Sequence, residues 1–227
     1  GIADQATYDT IKAAYDSALA AYNALEEGEQ AEVENAAVLT ACGEALATFE
    51  DQLAAAEDMR DTLYALPYTV ESIVNDTATD WATEIAAART AYEALDDIEK
   101  ALVTDTYYGY LEMAEAALEA AEVVTEYYFA VPEDYQEAWG ALYEDEESYL
   151  AGEEYATYVA PLATAIENLS DDGYDMLEGS DYWTAIDEVL TWRPEEPGPG
   201  PDEPYTIEDV MAACRVVARN NAGGEPT

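Results

Sequence analysis

The stretch Ala91-Tyr-Glu-Ala-Leu-Asp-Asp-Ile-Glu-Lys-Ala-Leu-Val103 decides the fold. Its pattern, Ala–aromatic–x–Ala–Leu–x–x–x–Glu–x–x–x–Val/Leu, occurs twice more. One copy runs from Ala21 through Tyr22, Ala24, Leu25 and Glu29 to Val33, the other from Ala138 through Trp139, Ala141, Leu142 and Glu146 to Leu150. Recurrence at intervals of tens of residues marks a chain of like helical units. The Ala–aromatic–x–Ala–Leu block is expected to close one helix, and the Glu and Val/Leu to open the next.

Outward from these junctions the pattern stays helical. Residues 1–193 are rich in Ala, Glu and Leu, and apolar residues recur at three- and four-residue spacing with no alternating run. Helices are expected over 6–25, over 30–66 with a break near Ala36 or Gly43, over 78–96, and over 98–130 with an interruption at Thr104–Tyr108. A last unit spans 133–192, in which Pro161 starts or kinks a helix. Leu39, Cys42 and Leu46 share their spacing with Leu111, Ala114 and Leu118, and with Val159, Leu162 and Ile166, one face of a helix each time. The fold class is therefore all-α, with tandem modules of the three-helix-bundle kind at 1–66, 67–131 and 132–193. A Pro/Gly linker, 194–204, follows, and then a terminal amphipathic helix within 205–227. Thr206 and Asp209 form its N-terminal capping signal. Val210, Met211, Cys214, Val217 and Ala218 form an apolar stripe that needs a partner helix.

Composition narrows the function. The 227 residues hold 52 acidic and 7 basic side chains, a net charge of −45. Nucleic acid and anionic membranes are excluded as partners, because both are bound by Lys and Arg. The charge admits three readings: a solvated extracellular surface, adaptation to salt, or metal and mineral binding. The absence of histidine removes the Ser–His and Cys–His pairs and every imidazole metal site. Cys42 and Cys214 form no CxxC and no disulfide framework, and they read as small apolar fillers. Adjacent acids such as Asp145 and Glu147 or Glu153 and Glu154 do not form the separated pair that acid–base catalysis uses. No enzyme is expected. The chain carries no signal peptide and no apolar run of membrane-spanning length, and it reads as an excerpt of a longer polypeptide.

Two segments resemble known families. Residues 86–122, AAARTAYEALDDIEKALVTDTYYGYLEMAEAALEAAE, resemble the FIVAR-type helical modules of Gram-positive surface and secreted proteins. The likeness is best over 67–125, looser over 6–66 and weakest over 133–192. It implies extracellular, secreted or wall-associated three-helix bundles acting as spacers, or as sugar- and protein-contacting accessories. Residues 206–219, TIEDVMAACRVVAR, resemble the first helix of a dockerin, which implies a cohesin-like protein partner or another segment of the same polypeptide. That partner would meet Ile207, Glu208 and Arg215. The preceding calcium loop is incomplete: Gly198 and Gly200 stand at ligand positions and Glu203 at the turn glycine, so no cofactor is expected. Asn168–Gly173 echoes half a calcium loop but lacks the final bidentate ligand, and reads as a polar inter-helix turn.

The nineteen tyrosines are the remaining surplus. Tyr107, Tyr108 and Tyr110 form one cluster, Tyr127, Tyr128 and Phe129 a second, and Tyr149, Tyr155 and Tyr158 a third. Buried, they are the edges of narrow bundles; exposed, they are platforms for glycans or proteins. The first expectation is a non-catalytic spacer and presentation region. The second is a carbohydrate- or protein-binding adhesin module that uses these rings.

Overall fold

The computed structural model describes residues 2–194. The described chain is all-α, with no strand. Its helices are α1 (Gln5–Asn23), α2 (Glu27–Gln30), α3 (Ala36–Tyr64), α4 (Val70–Val74), α5 (Trp81–Ala94), α6 (Asp97–Glu122), α7 (Tyr135–Gly140), α8 (Glu146–Leu150), α9 (Ala160–Glu167), α10 (Asp171–Glu178) and α11 (Trp183–Thr191). The terminal segment 205–227, with Ile207, Glu208 and Arg215, lies outside the described residues, as does all but Pro194 of the 194–204 linker.

The threefold pattern maps onto helix junctions. In the first copy α1 ends at Asn23, and Glu29 reaches back to accept from the Glu26 backbone N–H at 3.0 Å, opening α2. In the second, α5 ends at Ala94, and Glu99 accepts from the Asp96 N–H at 2.7 Å while Asp96 accepts from the Glu99 N–H at 2.9 Å. Both are reciprocal capping boxes, each satisfying backbone donors that a helix start leaves without partners. In the third copy α7 ends at Gly140, and Asp145 caps α8 by accepting from the Ser148 N–H at 2.7 Å. Glu146 there pairs with Arg193 at 2.7 Å instead.

The expected helices move at their ends for local reasons. The break in 30–66 falls at residues 31–35, a turn between α2 and α3. In α6 the break is a single residue: Thr104 has φ 70° and ψ 153°, a region that suits glycine. Beside the kink, the Arg60 guanidinium of α3 donates to the Leu102 carbonyl, with Nε at 3.1 Å. The helix expected to run to residue 130 changes at Val123–Tyr127 into a π-helical turn and then a 3-10 turn, Tyr128–Ala130. Pro161 lies in the first turn of α9, directly after a second π-helical turn, Tyr155–Val159.

The chain divides into two compact units. The first comprises residues to Glu122 and Leu169–Asp181. Its main core joins Ala56, Met59 and Leu63 of α3 with Ile85 and Ala88 of α5 and Val103, Leu111 and Ala114 of α6. Leu63, Leu111 and Val103 are fully buried, each worth on the order of 1.5–3 kcal/mol against exposure. A smaller core pairs Ile2 and Tyr8 with Leu46 and Phe49 of α3. Packing is thus continuous across the expected boundary at 66/67, because α3 serves both cores. The second unit comprises Val123–Asn168 and the described chain from Tyr182. Its core is aromatic: the Trp139 ring lies 4.9 Å from Tyr135, 5.9 Å from Tyr149 and 5.8 Å from Trp192. The contact-defined units therefore cut across the 132–193 segment, with α10 belonging to the first.

Candidate functional site

The Tyr107–Tyr110 cluster separates into two roles. Tyr108 faces the α5–α6 seam. Its hydroxyl accepts from Arg89 Nη1 at 2.8 Å, its ring lies 4.8 Å from Tyr92, and the guanidinium sits 5.2 Å from its centroid. Arg89 also binds Glu115 through both carboxylate oxygens, which holds the guanidinium pKa above its ordinary value. Tyr108 is therefore committed to structure.

Tyr110 turns the other way. Its ring meets Tyr64 edge-on at 5.4 Å, Tyr68 at 6.0 Å and Tyr107 at 6.2 Å. Tyr107 and Tyr110 are half-buried, whereas Tyr64 is 64% and Tyr68 46% exposed. The result is a four-ring face on the first unit, backed by Arg60, whose guanidinium lies 5.8 Å from the Tyr107 centroid. Tyr64 and Tyr68 were not among the sequence candidates. Their only signal was their place at the end of α3 and just after Pro67, where side chains leave the helical register.

Elsewhere the rings are mostly covered. Tyr127 and Tyr128 are half-buried, Phe129 is exposed, and Tyr128 and Phe129 both contact Tyr182. Tyr149 is fully buried, and burial pushes its hydroxyl up to about 12. Its O–H has no hydrogen-bond partner.

Several carboxylates serve as helix caps. The Thr7 backbone N–H holds Asp4 below the usual carboxylate range, the Ser148 N–H holds Asp145 there, and the Glu99 N–H followed by Gln52 does so for Asp96. Ser170, in the turn that echoes a calcium loop, caps α10 by accepting from the Gly173 N–H at 3.0 Å and donates to Glu119 at 2.6 Å. Among the described residues no group of three or more Cys, Asp or Glu side chains is placed to hold a metal ion, and no charged side chain is buried.

A second surface feature lies between α1 and α3. Tyr22, Leu25, Val33, Val38, Leu39 and Cys42 line an open groove of about 620 Å³ whose walls are overwhelmingly apolar. Cys42 is half-buried there as a free thiol. No family model, curated protein or solved structure matches this chain. Among the described residues no helix is long and apolar enough to cross a membrane.

Proposed function

We propose that this chain is a non-catalytic helical spacer and presentation region of a larger extracellular bacterial polypeptide. The observation that carries the reading is the fate of the one polar residue the repeat retains. Glu29 and Glu99 are spent on helix junctions, and Glu146 on a pair with Arg193, so the recurring chemistry is architectural. The apolar cores and the outward carboxylates support it, because a surface of net charge −45 stays solvated and resists collapse onto anionic polymers. The FIVAR-like composition of 86–122 supports the extracellular setting. A glycan array and a pull-down with the full chain test the reading. The expected result is no saturable ligand, and specific micromolar binding overturns it.

One observation favours the second reading, an adhesin module. Tyr64, Tyr68, Tyr107 and Tyr110 form a partly exposed cluster of mutually tilted rings, whose open faces suit stacking by sugar rings or partner side chains. Under that reading the double variant Tyr64→Ala/Tyr68→Ala loses glycan or protein binding while keeping its helicity. The cohesin-like partner expected for the terminal segment belongs to the same proposal and depends on residues 205–227.

A further inference from the structure

The first two copies of the repeat fill equivalent positions with opposite outcomes. In the second copy, Tyr92, Leu95 and Val103 pack in one core with Leu111 and Ala114, and that core is completed by Ala56, Met59 and Leu63 of α3. Val103, Leu111 and Ala114 are fully buried. Their counterparts in the first copy are Tyr22, Leu25 and Val33, with Leu39 and Cys42. These same residues line the open groove between α1 and α3. Val38, the counterpart of Tyr110, is 66% exposed, whereas Tyr110 is half-covered and meets Tyr64 at the end of α3. Ile98 and Leu102 of α6 pack on the α1–α3 pair at its Tyr8–Phe49 core. No described residue beyond Cys42 lines the groove, however, so its Tyr22–Leu25–Val33–Leu39 walls lack the cover that α3 gives α5 and α6.

The polar contacts follow the same correspondence. Gln52 of α3 donates to Asp96 at 2.6 Å, and Arg60 donates to the Leu102 carbonyl at the kink. The counterparts of Asp96 and Leu102 are Glu26 and Glu32, both exposed and both acidic. Between Lys12 and Arg60 the chain has eleven carboxylates and no cation. A second copy is a poor occupant: the two chains carry like charge, and the Ala56–Met59–Leu63 face of α3 is already buried in its own core.

We propose that the α1–α3 groove is a docking site for an α3-type helix from another repeat module. Such a helix presents an apolar stripe spaced as Ala56, Met59 and Leu63, with a cation or amide donor beside it. In a tandem array each module buries its face against a neighbour, and a face left open marks where the next neighbour docks. The inference stands on packing and repeat correspondence, independently of the spacer and adhesin readings.

The test uses the full chain and two 17-residue peptides built on residues 50–66, with every Asp and Glu replaced by Lys to remove like-charge repulsion. The first peptide keeps the stripe; the second carries Ser at the places of Ala56, Met59 and Leu63, at equal charge. Calorimetric titration is expected to show saturable 1:1 binding of the first peptide, about ten-fold or more tighter than the second. Val38→Asp, at an exposed position, is expected to remove that difference while circular dichroism shows unchanged helicity. Equal binding of the two peptides would reduce the effect to surface charge and overturn the proposal. So would no saturable binding, binding indifferent to Val38→Asp, or self-association of the chain alone that Val38→Asp abolishes.

Discussion

Arg89 and Glu115 join α5 to α6 through paired hydrogen bonds, one of them from Nε to Oε1 at 2.7 Å. The guanidinium is simultaneously held by the Tyr108 hydroxyl at 2.8 Å. Planar two-point pairing of this kind is stronger than an ordinary surface ion pair. Arg89→Ala is expected to cost about 1–2 kcal/mol, because it leaves Glu115 and the Tyr108 hydroxyl without their donor. Arg89→Lys keeps the charge but not the fork, and is expected to recover only part of the loss. Urea denaturation followed by circular dichroism measures both. Equal stability of wild type and Arg89→Ala would show that the pair contributes nothing net.

Thr104 holds a β-branched side chain at φ 70°, where glycine meets no steric penalty. Such conformations cost on the order of 1–3 kcal/mol. Thr104→Gly is expected to stabilise the first unit, by about 1 kcal/mol once the greater freedom of glycine in the unfolded chain is subtracted. Thermal unfolding checks the sign. A lower melting temperature would mean that the Thr104 side chain holds the kink rather than suffering from it.

The Tyr149 hydroxyl is buried in the aromatic core of the second unit without a partner. A buried polar group left unpaired costs about 1–3 kcal/mol, while the ring itself packs 4.9 Å from Trp192. Tyr149→Phe removes the hydroxyl and keeps the ring, so it is expected to be neutral or stabilising. Tyr149→Ala, which empties the centre of the cluster, is expected to lose about 3–5 kcal/mol. A destabilising Tyr149→Phe would show that the hydroxyl is satisfied in solution.

Stability is expected to pass through a maximum as pH falls. From pH 7 towards the sequence pI of about 4.1, protonation relieves the self-repulsion of the 52 acids, so the melting temperature rises. The capping aspartates act in the opposite sense. The carboxyls of Asp4, Asp80, Asp96 and Asp145 lie below their ordinary value when folded. Their contribution is complete above the unfolded pKa of about 3.9 and is lost as pH falls through the lower folded values. The decline therefore belongs below about pH 4. Added NaCl at pH 7 is expected to mimic the first effect by screening. Scanning calorimetry across pH and salt reads both limbs.

The helix class and the junctions were legible in the residues because both are local. Glu99 sits three positions after Asp96, and Glu29 three after Glu26, a spacing that needs no tertiary information. The break expected at Thr104–Tyr108 was placed in the right turn, although its single-residue form at Thr104 was not legible. The fates of the tyrosines were not legible. Tyr107, Tyr108 and Tyr110 look alike in sequence, yet Tyr108 is taken by Arg89 and Tyr110 by Tyr64, partners 19 and 46 positions away. Nor could spacing show that α3 packs with helices on both sides of residue 66, since that depends on which faces meet.

Because α3 contributes its first half to one core and its second half to another, the two cores of the first unit have a common spine. Melting either core frees part of the same 29-residue helix and weakens the other. The two cores should then yield to heat or tension as a single step, with one release of length, and not as two weaker steps in series. A tether assembled from such overlapping segments would hold its extension until a threshold and then give way in large increments.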